Sequence, residues 1–426
     1  MRALAPADAF FLYAESWRVP QTVAAACLSD SGMTRDGLAA HIATHLEASE
    51  WLRRVLVRRS GGWRRPGWRT VPGVDLSQHV IEAAVPPPGG LAGLAAFAGA
   101  VAGFRMPRDR PLWRIWVLPE VAPGRSAFVI AIHHALCDGP GLVELLGSLF
   151  VVDGRQPTYR PSPAGSASPA GGGSSRLTAA ARVARGVLLL TVDGMVRAGP
   201  FTRRLRPARR FALASVPLTT VRAAARAATG AQPTDVVLAA LAGAVDRAEP
   251  AGRRPGRLRT LRVVVPVLAR AGSAAAATGN RTAGLWVRLP LGEPDPVRRL
   301  NRIATDRARR STSARALGSR FVMEQVAGLL PAPLHALAVR AAYRGRFFHA
   351  IVSVMPGPRR RPFLGPGEVI TAHPVISLAD RVGLGLGGLA WGDALCLGLV
   401  GDAGAVPDPD ALLASVVAEI ERLAAG

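Results

Sequence analysis

The sequence predicts an α/β protein built as two halves, and three observations predict it. At 426 residues with 49% apolar content, the chain is long enough to bury a sizeable core and too apolar to be disordered. Apolar runs of strand length alternate with helix-like patterns up to about residue 150. Between Asp153 and Ser175 the composition collapses to Pro, Gly, Ser and Ala, as in a crossover linker, before the alternation resumes. The expected organisation is a first half at 1–152, a linker at 153–176 and a second half at 177–426.

In the first half, Pro6 and Asp8 stand where a short helix begins, with an apolar face following at Phe10-Phe11-Leu12. Thr22–Leu28 reads as the first strand. Thr34 caps a helix expected to run to about Ala48. His41 and His45 share one face of it at i, i+4, a candidate ligand pair with no third partner in view. Trp51–Arg59 and Trp63–Val71 read as the strands of a basic hairpin. His79 is expected to make a structural hydrogen bond. Leu91–Phe104 reads as a buried helix, followed by a strand through Leu118, a turn at Pro123-Gly124 and a second, strongly apolar strand.

That second strand, Ala127–Ile132, ends in His133-His134-Ala135-Leu136-Cys137-Asp138-Gly139. Strand residues alternate faces, so the two histidines point opposite ways: one can enter a cavity while the other packs or bonds behind it. Asp138 is near enough to hold the local turn or to fix an imidazole. Gly139 permits a positive φ before the helix-like Leu142–Phe150. A histidine held at a rigid strand end is well placed to take a proton from an alcohol, amine or thiol. The competing reading is a hydrogen-bonded structural pair. A metal reading is weaker, because adjacent strand histidines diverge and no third ligand has suitable spacing.

In the second half, Arg176–Arg210 joins an apolar centre to the cationic run Arg203–Arg210, which suits either an anionic membrane surface or an ordinary solvated face. Thr234 is expected to cap a buried helix, Asp235–Ala248. Strands follow at Leu261–Leu268 and up to Leu289, then an arginine-rich helix to about Arg310. Met323–Tyr343 reads as an amphipathic region broken at Pro331-Ala332-Pro333. Val382–Val400 alternates Leu with Gly around Gly392-Asp393 and reads as two strands, and Asp408–Leu423 as the closing helix.

Net charge is +24 and every basic side chain is arginine. Such a surface favours polyanions: lipid headgroups, a phosphorylated cofactor or nucleic acid. Nucleic acid is the poorest fit, with aromatics at 5% and no zinc-finger, helix-turn-helix or RNP-like segment. Three scattered cysteines, Cys27, Cys137 and Cys396, argue against a disulfide framework or a zinc site and suit a reducing compartment. The first residues lack the order of a signal peptide, and no apolar stretch reads as a transmembrane helix.

The ordered set of motifs resembles the bacterial wax ester synthase/diacylglycerol acyltransferase family. The matching pieces are Leu4–Leu12, Asp75-Leu76 with His79-Val80, Pro88-Gly89, Arg110-Pro111-Leu112-Trp113 and the His133–Gly139 motif HHxxxDG. Then come Asp235–Ala239, Val265-Pro266-Val267 with Arg270, Gly279-Asn280-Arg281, Pro356-Gly357-Pro358, and Gly398-Leu399 with Asp402. HHxxxDG is also the signature of the wider superfamily of chloramphenicol acetyltransferase and condensation domains. Two departures stand out: Thr234 and Val354 occupy positions where the family usually has asparagine.

The resemblance implies two chloramphenicol-acetyltransferase-like mixed-sheet halves with a substrate tunnel between them. It implies transfer of a fatty acyl group from acyl-CoA to diacylglycerol or a long-chain alcohol, with His134 as general base and no cofactor beyond the acyl-CoA co-substrate. It makes Asp138 a structural acid paired with an arginine, for which Arg270 is the candidate. Gly139 serves as a backbone requirement and His133 as chiefly structural, while Thr234, Asp235, Arg270 and Asn280 support the site. Insoluble acceptors imply a cytoplasmic protein peripheral to a membrane or lipid droplet. Other readings are a sibling transferase with another acceptor, a non-catalytic acyl-CoA-binding paralogue, and a basic nucleic-acid-binding protein.

Overall fold

In a computed structural model, the described residues are 2–59, 61–138, 141–143, 147–150, 194–248, 258–268, 280, 282–311 and 329–426. The linker at 153–176 and the apolar centre at Val187–Val192 lie outside them, as do Gly139 and Arg270.

The first part contains β1 (Arg2–Ala3), α1 (Pro6–Ala14), β2 (Thr22–Ser29), α2 (Arg35–Ala43), β3 (Arg54–Val57) and β4 (Gly67–Thr70). It continues with β5 (Val80–Glu82), α3 (Gly90–Ala102), β6 (Trp113–Ala122) and β7 (Arg125–His133). The second part begins with β8 (Arg209–Pro217), α4 (Leu218–Arg226), α5 (Pro233–Ala248), β9 (Thr260–Leu268), β10 (Thr282–Pro290) and α6 (Pro296–Ser311). After α7 (Ala332–Ala342) come β11 (Ala350–Met355), β12 (Phe363–Leu364), β13 (Gly367–Val375), β14 (Leu384–Trp391), β15 (Ala394–Asp402) and α8 (Pro409–Ala425).

Two mixed six-stranded sheets carry the fold, ordered β12-β13-β2-β7-β6-β5 and β10-β9-β11-β14-β15-β8; β1, β4 and β3 form a small third sheet. The helices cover the sheets as the apolar periodicity predicts. Thr34 caps α2 through Gly37 N at 3.1 Å, although α2 stops at Ala43 rather than Ala48. Asp408 caps α8 through Ala411 N at 2.9 Å. α5 is apolar on nearly every face and is buried accordingly. Its start corrects the expected cap: Thr234 lies inside the first turn, and the Asp235 carboxylate accepts from Gln232 N at 2.8 Å.

The halves are not independent layers. β13 leaves the second half and pairs antiparallel with β2, setting Ala372 opposite Cys27 and Pro374 opposite Ala25. The first sheet is completed by this strand and by β12, which pairs with it. The Leu/Gly alternation of β14 and β15 finds its reason here: a Cβ at Gly398 would overlap the Pro374 carbonyl and the Phe211 ring, and one at Gly387 would press on Pro374. Only glycine lets β13 lie this close. Gly398→Val is therefore expected to destabilise the protein by about 1–3 kcal/mol, read as a lower urea midpoint.

The cationic run before β8 is used internally. Arg209 is buried with its Nη1 3.4 Å from Asp402 Oδ2, and Arg206 N donates to the same oxygen at 2.6 Å. Arg203 and Arg210 donate to the carbonyls of Gly404 and Pro407. These bonds tie β8 to the end of β15 and the approach to α8, while Arg203, Arg204, Arg206 and Arg210 remain exposed.

Candidate active site

β7 ends at His133, and the chain turns at once, which sends the two imidazoles to different environments. His133 is fully buried. Its Nδ1 accepts from Ala135 N at 3.0 Å, so the ring proton sits on Nε2, which faces Glu15 Oε1 at 3.4 Å. Glu15 also receives Arg105 Nε at 3.0 Å and Arg108 Nη2 at 2.5 Å. Burial alone pushes the Glu15 carboxyl up, but the His133 and Arg108 interactions outweigh it and hold the group at about 2. His133 is thus a structural anchor.

His134 occupies a different network. Its backbone N donates to Gln21 O at 2.7 Å, and its ring stacks on Phe11, with centroids 3.6 Å apart and planes 9° off parallel. Nδ1 lies 3.0 Å from Asn280 Oδ1. The orientation of the Asn280 amide follows from its other bonds, because Nδ2 donates to the His134 carbonyl at 2.9 Å and to Asp8 Oδ1 at 3.0 Å. Asn280 N donates to that same Asp8 oxygen at 2.8 Å. Asn280 Oδ1 is therefore an acceptor, His134 Nδ1 carries the proton, and the lone pair stands on Nε2.

Electrostatics agree with that tautomer. Burial pushes the His134 pKa down to about 4, with the bond to Asn280 acting in the opposite direction, so the ring is neutral at pH 7. Asp8 is 7% exposed, and burial pushes its carboxyl up to about 6 against the lowering effect of both Asn280 bonds. His79 and His335 are likewise held at about 4, burial being the leading cause in each. A neutral buried histidine stabilises the fold only while the unfolded side chain is also neutral. Its contribution is present above the ordinary pKa of 6.5 and is lost as pH falls from there toward 4. Asp8 acts with the opposite sign between 3.8 and about 6, one group against three. Thermal midpoints measured across this range should therefore rise with pH.

The other expected site residues are placed as follows. Asp138 is buried, and its Oδ1 accepts from Gly141 N at 3.0 Å, so it shapes the turn into the following helix. Gly139 and the Arg270 half of the expected Asp138 pairing lie outside the described residues. Asp235 is 0% exposed and forms a two-point ion pair with Arg307, at 2.5 and 2.9 Å, within the second half. Its partners are structural, as are those of Thr234's helix turn. Of Thr234, Asp235 and Asn280, the supporting residues that are described, Asn280 is the one bonded to His134.

His41 and His45 bond to Leu149 O and His41 O, at 2.7 and 2.9 Å, and among the described residues no His, Cys, Asp and Glu group suits a metal. His79 Nδ1 bonds to Trp113 O at 2.8 Å, the structural role expected of it.

Asp8, Phe11 and Glu15 were not singled out from sequence. Asp8 and Phe11 read there as a helix start and as part of the Leu4–Leu12 family match, and Glu15 follows α1 as its C-cap.

An apolar cavity opens between the two sheets, lined by Ala25 and Cys27 of β2, Pro374 of β13, Trp391 of β14, and Leu142 and Met355. Leu142 stands four residues after Asp138 in the chain. Gly357 of Pro356-Gly357-Pro358 packs directly on the Ala390 carbonyl, which seats Met355 in the wall.

Two family models match the chain: the wax ester synthase/diacylglycerol acyltransferase catalytic domain over residues 4–237, and its C-terminal domain over 278–424. The chain belongs to the wax ester synthase/diacylglycerol acyltransferase family. A putative diacylglycerol O-acyltransferase of Mycobacterium tuberculosis is 30% identical over all of this chain and 97% of its own length. A second, a probable diacylglycerol O-acyltransferase of the same species, is 29% identical over 84% of this chain and 81% of its own.

Among solved structures, the wax ester synthase/diacylglycerol acyltransferase of Marinobacter aquaeolei VT8 superposes with a TM-score of 0.70 at 21% identity, with both chains fully covered. The first condensation domain of the CDA synthetase gives 0.62 at 18%, over all of this chain and 96% of its own. These low identities speak for the fold alone. It is the two-halved fold that the family resemblance implied, seen here in two mixed sheets joined by β13.

Proposed function

We propose that this family member moves a fatty acyl group from acyl-CoA to the hydroxyl of diacylglycerol or a long-chain alcohol, with His134 Nε2 as general base. The observation that carries the reading is the Asp8–Asn280–His134 network. It brings Asn280 of the second half, held in place by Asp8 of the first, onto a single histidine, puts the proton on Nδ1 and leaves an unprotonated Nε2 at neutral pH.

The chemistry then needs no covalent intermediate. Nε2 takes the acceptor's hydroxyl proton as its oxygen attacks the thioester carbonyl. The tetrahedral oxyanion collapses, the C–S bond breaks, and the imidazolium returns its proton to the CoA sulfur. Asn280 Oδ1 holds the ring in register and stabilises the positive charge that develops on it, with Asp8 behind. Phe11 confines the other face of the imidazole. The carbon-lined cavity suits an acyl chain.

Among the described residues no helix is long and apolar enough to cross a membrane. The acceptors' insolubility supports peripheral association with a membrane or lipid-droplet surface.

The test is CoA release by purified protein given palmitoyl-CoA with dioleoylglycerol or hexadecanol, with the lipid product identified by mass spectrometry. Tight acyl-CoA binding without release to any acceptor would overturn the reading in favour of a non-catalytic binder. Asn280→Ala is expected to lower kcat about 10- to 100-fold with little change in KM, because it misplaces the base without removing it. A change confined to KM would assign Asn280 to substrate binding instead.

A further inference from the structure

α7 is apolar on two faces. Ala332, His335 and Val339 are buried, and the helix packs on α1, with His335 edge-on to Tyr13 at 5.1 Å and Arg340 Nε donating to Tyr13 O at 3.2 Å. Leu334, Leu337, Ala338 and Ala341, at i, i+3, i+4 and i+7, face outward instead. Leu334 is 50% and Leu337 66% exposed. Leu329, just before the helix, and Trp63, on the β3–β4 loop, are exposed as well. Ala332 N donates to Trp63 O at 2.9 Å, which fastens that loop beside the helix start. A solvent-exposed apolar stripe flanked by a tryptophan is costly in water and marks an interaction surface.

Beneath the stripe lies a polar cluster with unmet bonding capacity. Tyr13 Oη, His335 Nδ1 and Arg65 Nη1 are all buried without hydrogen-bond partners, and His335 as a whole is 2% exposed. The Arg65 charge acts on both of its neighbours: it adds to the burial that lowers His335, and it opposes the burial that raises Tyr13. The Arg65 charge among them favours an anionic partner. The surrounding field has the same preference. Residues 51–74 and 329–346 contain several arginines and no Asp or Glu.

We infer that this face docks onto an anionic phospholipid surface: the Leu334/Leu337 stripe and Trp63 enter the acyl boundary, and the surrounding arginines, with no acid among them, face the anionic headgroups. Buried apolar area and attraction to anionic headgroups both contribute to such interfacial binding. The placement also serves catalysis. α7 rests on α1, the helix that carries Asp8 and Phe11, and so α1 links this face to His134. The inference rests on the proposed lipid acceptor, and it places a membrane contact at α7.

Vesicle flotation without acyl-CoA tests it separately from catalysis. Vesicles of phosphatidylcholine are compared with vesicles that also contain phosphatidylglycerol. The double variant Leu334→Asp/Leu337→Asp, on exposed positions, is expected to lose about 10-fold or more in partitioning to both. Arg65→Gln should lose several-fold only on the anionic vesicles. A bimane label on Leu337→Cys should shift to shorter wavelength on binding. Unchanged partitioning of the double variant, or a label that stays in water while the protein floats, would overturn the assignment. So would a double variant that merely converts a dimer to a monomer. If CoA release fails while vesicle binding behaves as expected, the fault lies with the catalytic reading and not with the docking face.

Discussion

His134→Ala is expected to lower kcat for CoA release about 10³-fold, within the range spanned by positioned general bases. The residue contributes a lone pair whose availability is set by three independent features: the tautomer imposed by Asn280, the burial that holds its pKa near 4, and the Phe11 stack that fixes the ring plane. His134→Gln, which keeps polarity and approximate shape, should fail to restore the rate. The pH dependence supplies a second readout. A solvent-exposed histidine near 6.5 would remove half the activity at that pH, whereas here the acid limb of kcat/KM assigned to His134 should fall near 4. Circular dichroism and thermal midpoints matched to the parent protein separate lost chemistry from lost fold. Full CoA release by the folded alanine variant would remove His134 from the mechanism.

What could be read from the chain was local. The strand ending in His133-His134, the turn after it, the caps at Thr34 and Asp408, and the paired Leu/Gly strands all follow from period and turn chemistry within a few residues. The partners of the two histidines do not. Glu15 and Asn280 lie 118 residues before His133 and 146 residues after His134, and nothing near either announces the contact. The completion of the first sheet by β13 is equally silent, because pairing of β13 with β2 depends on glycines whose role shows only when Pro374 is laid over them. α7 shows the same limit. The sequence reads as an amphipathic region broken at Pro331-Ala332-Pro333, and only burial shows that the helix after the break holds two apolar faces, one of them uncovered.

Glu15→Gln should produce the largest loss of stability among changes near the site, about 2–3 kcal/mol at pH 7. Removing one partner of a buried ionic cluster typically costs 3–5 kcal/mol, because the remaining groups are left desolvated. The lower figure applies because Arg105 and Arg108 are 50% and 39% exposed and can turn to water, whereas the His133 side chain is 0% exposed and cannot. The sign with pH is specific. The Glu15 carboxyl stands at about 2 in the folded protein against 4.5 ordinarily, so its contribution is complete above 4.5 and disappears as pH falls toward 2. Urea midpoints of parent and variant should therefore converge as the pH is lowered through that interval. The glutamine retains bulk, so a gap that persisted at the acid end would show packing, not charge, to be the source. Activity should fall with stability restored by low temperature, because His133 Nδ1 receives Ala135 N and thereby shapes the turn that presents His134. An unchanged kcat in the folded variant would show that the turn holds its form without the anchor.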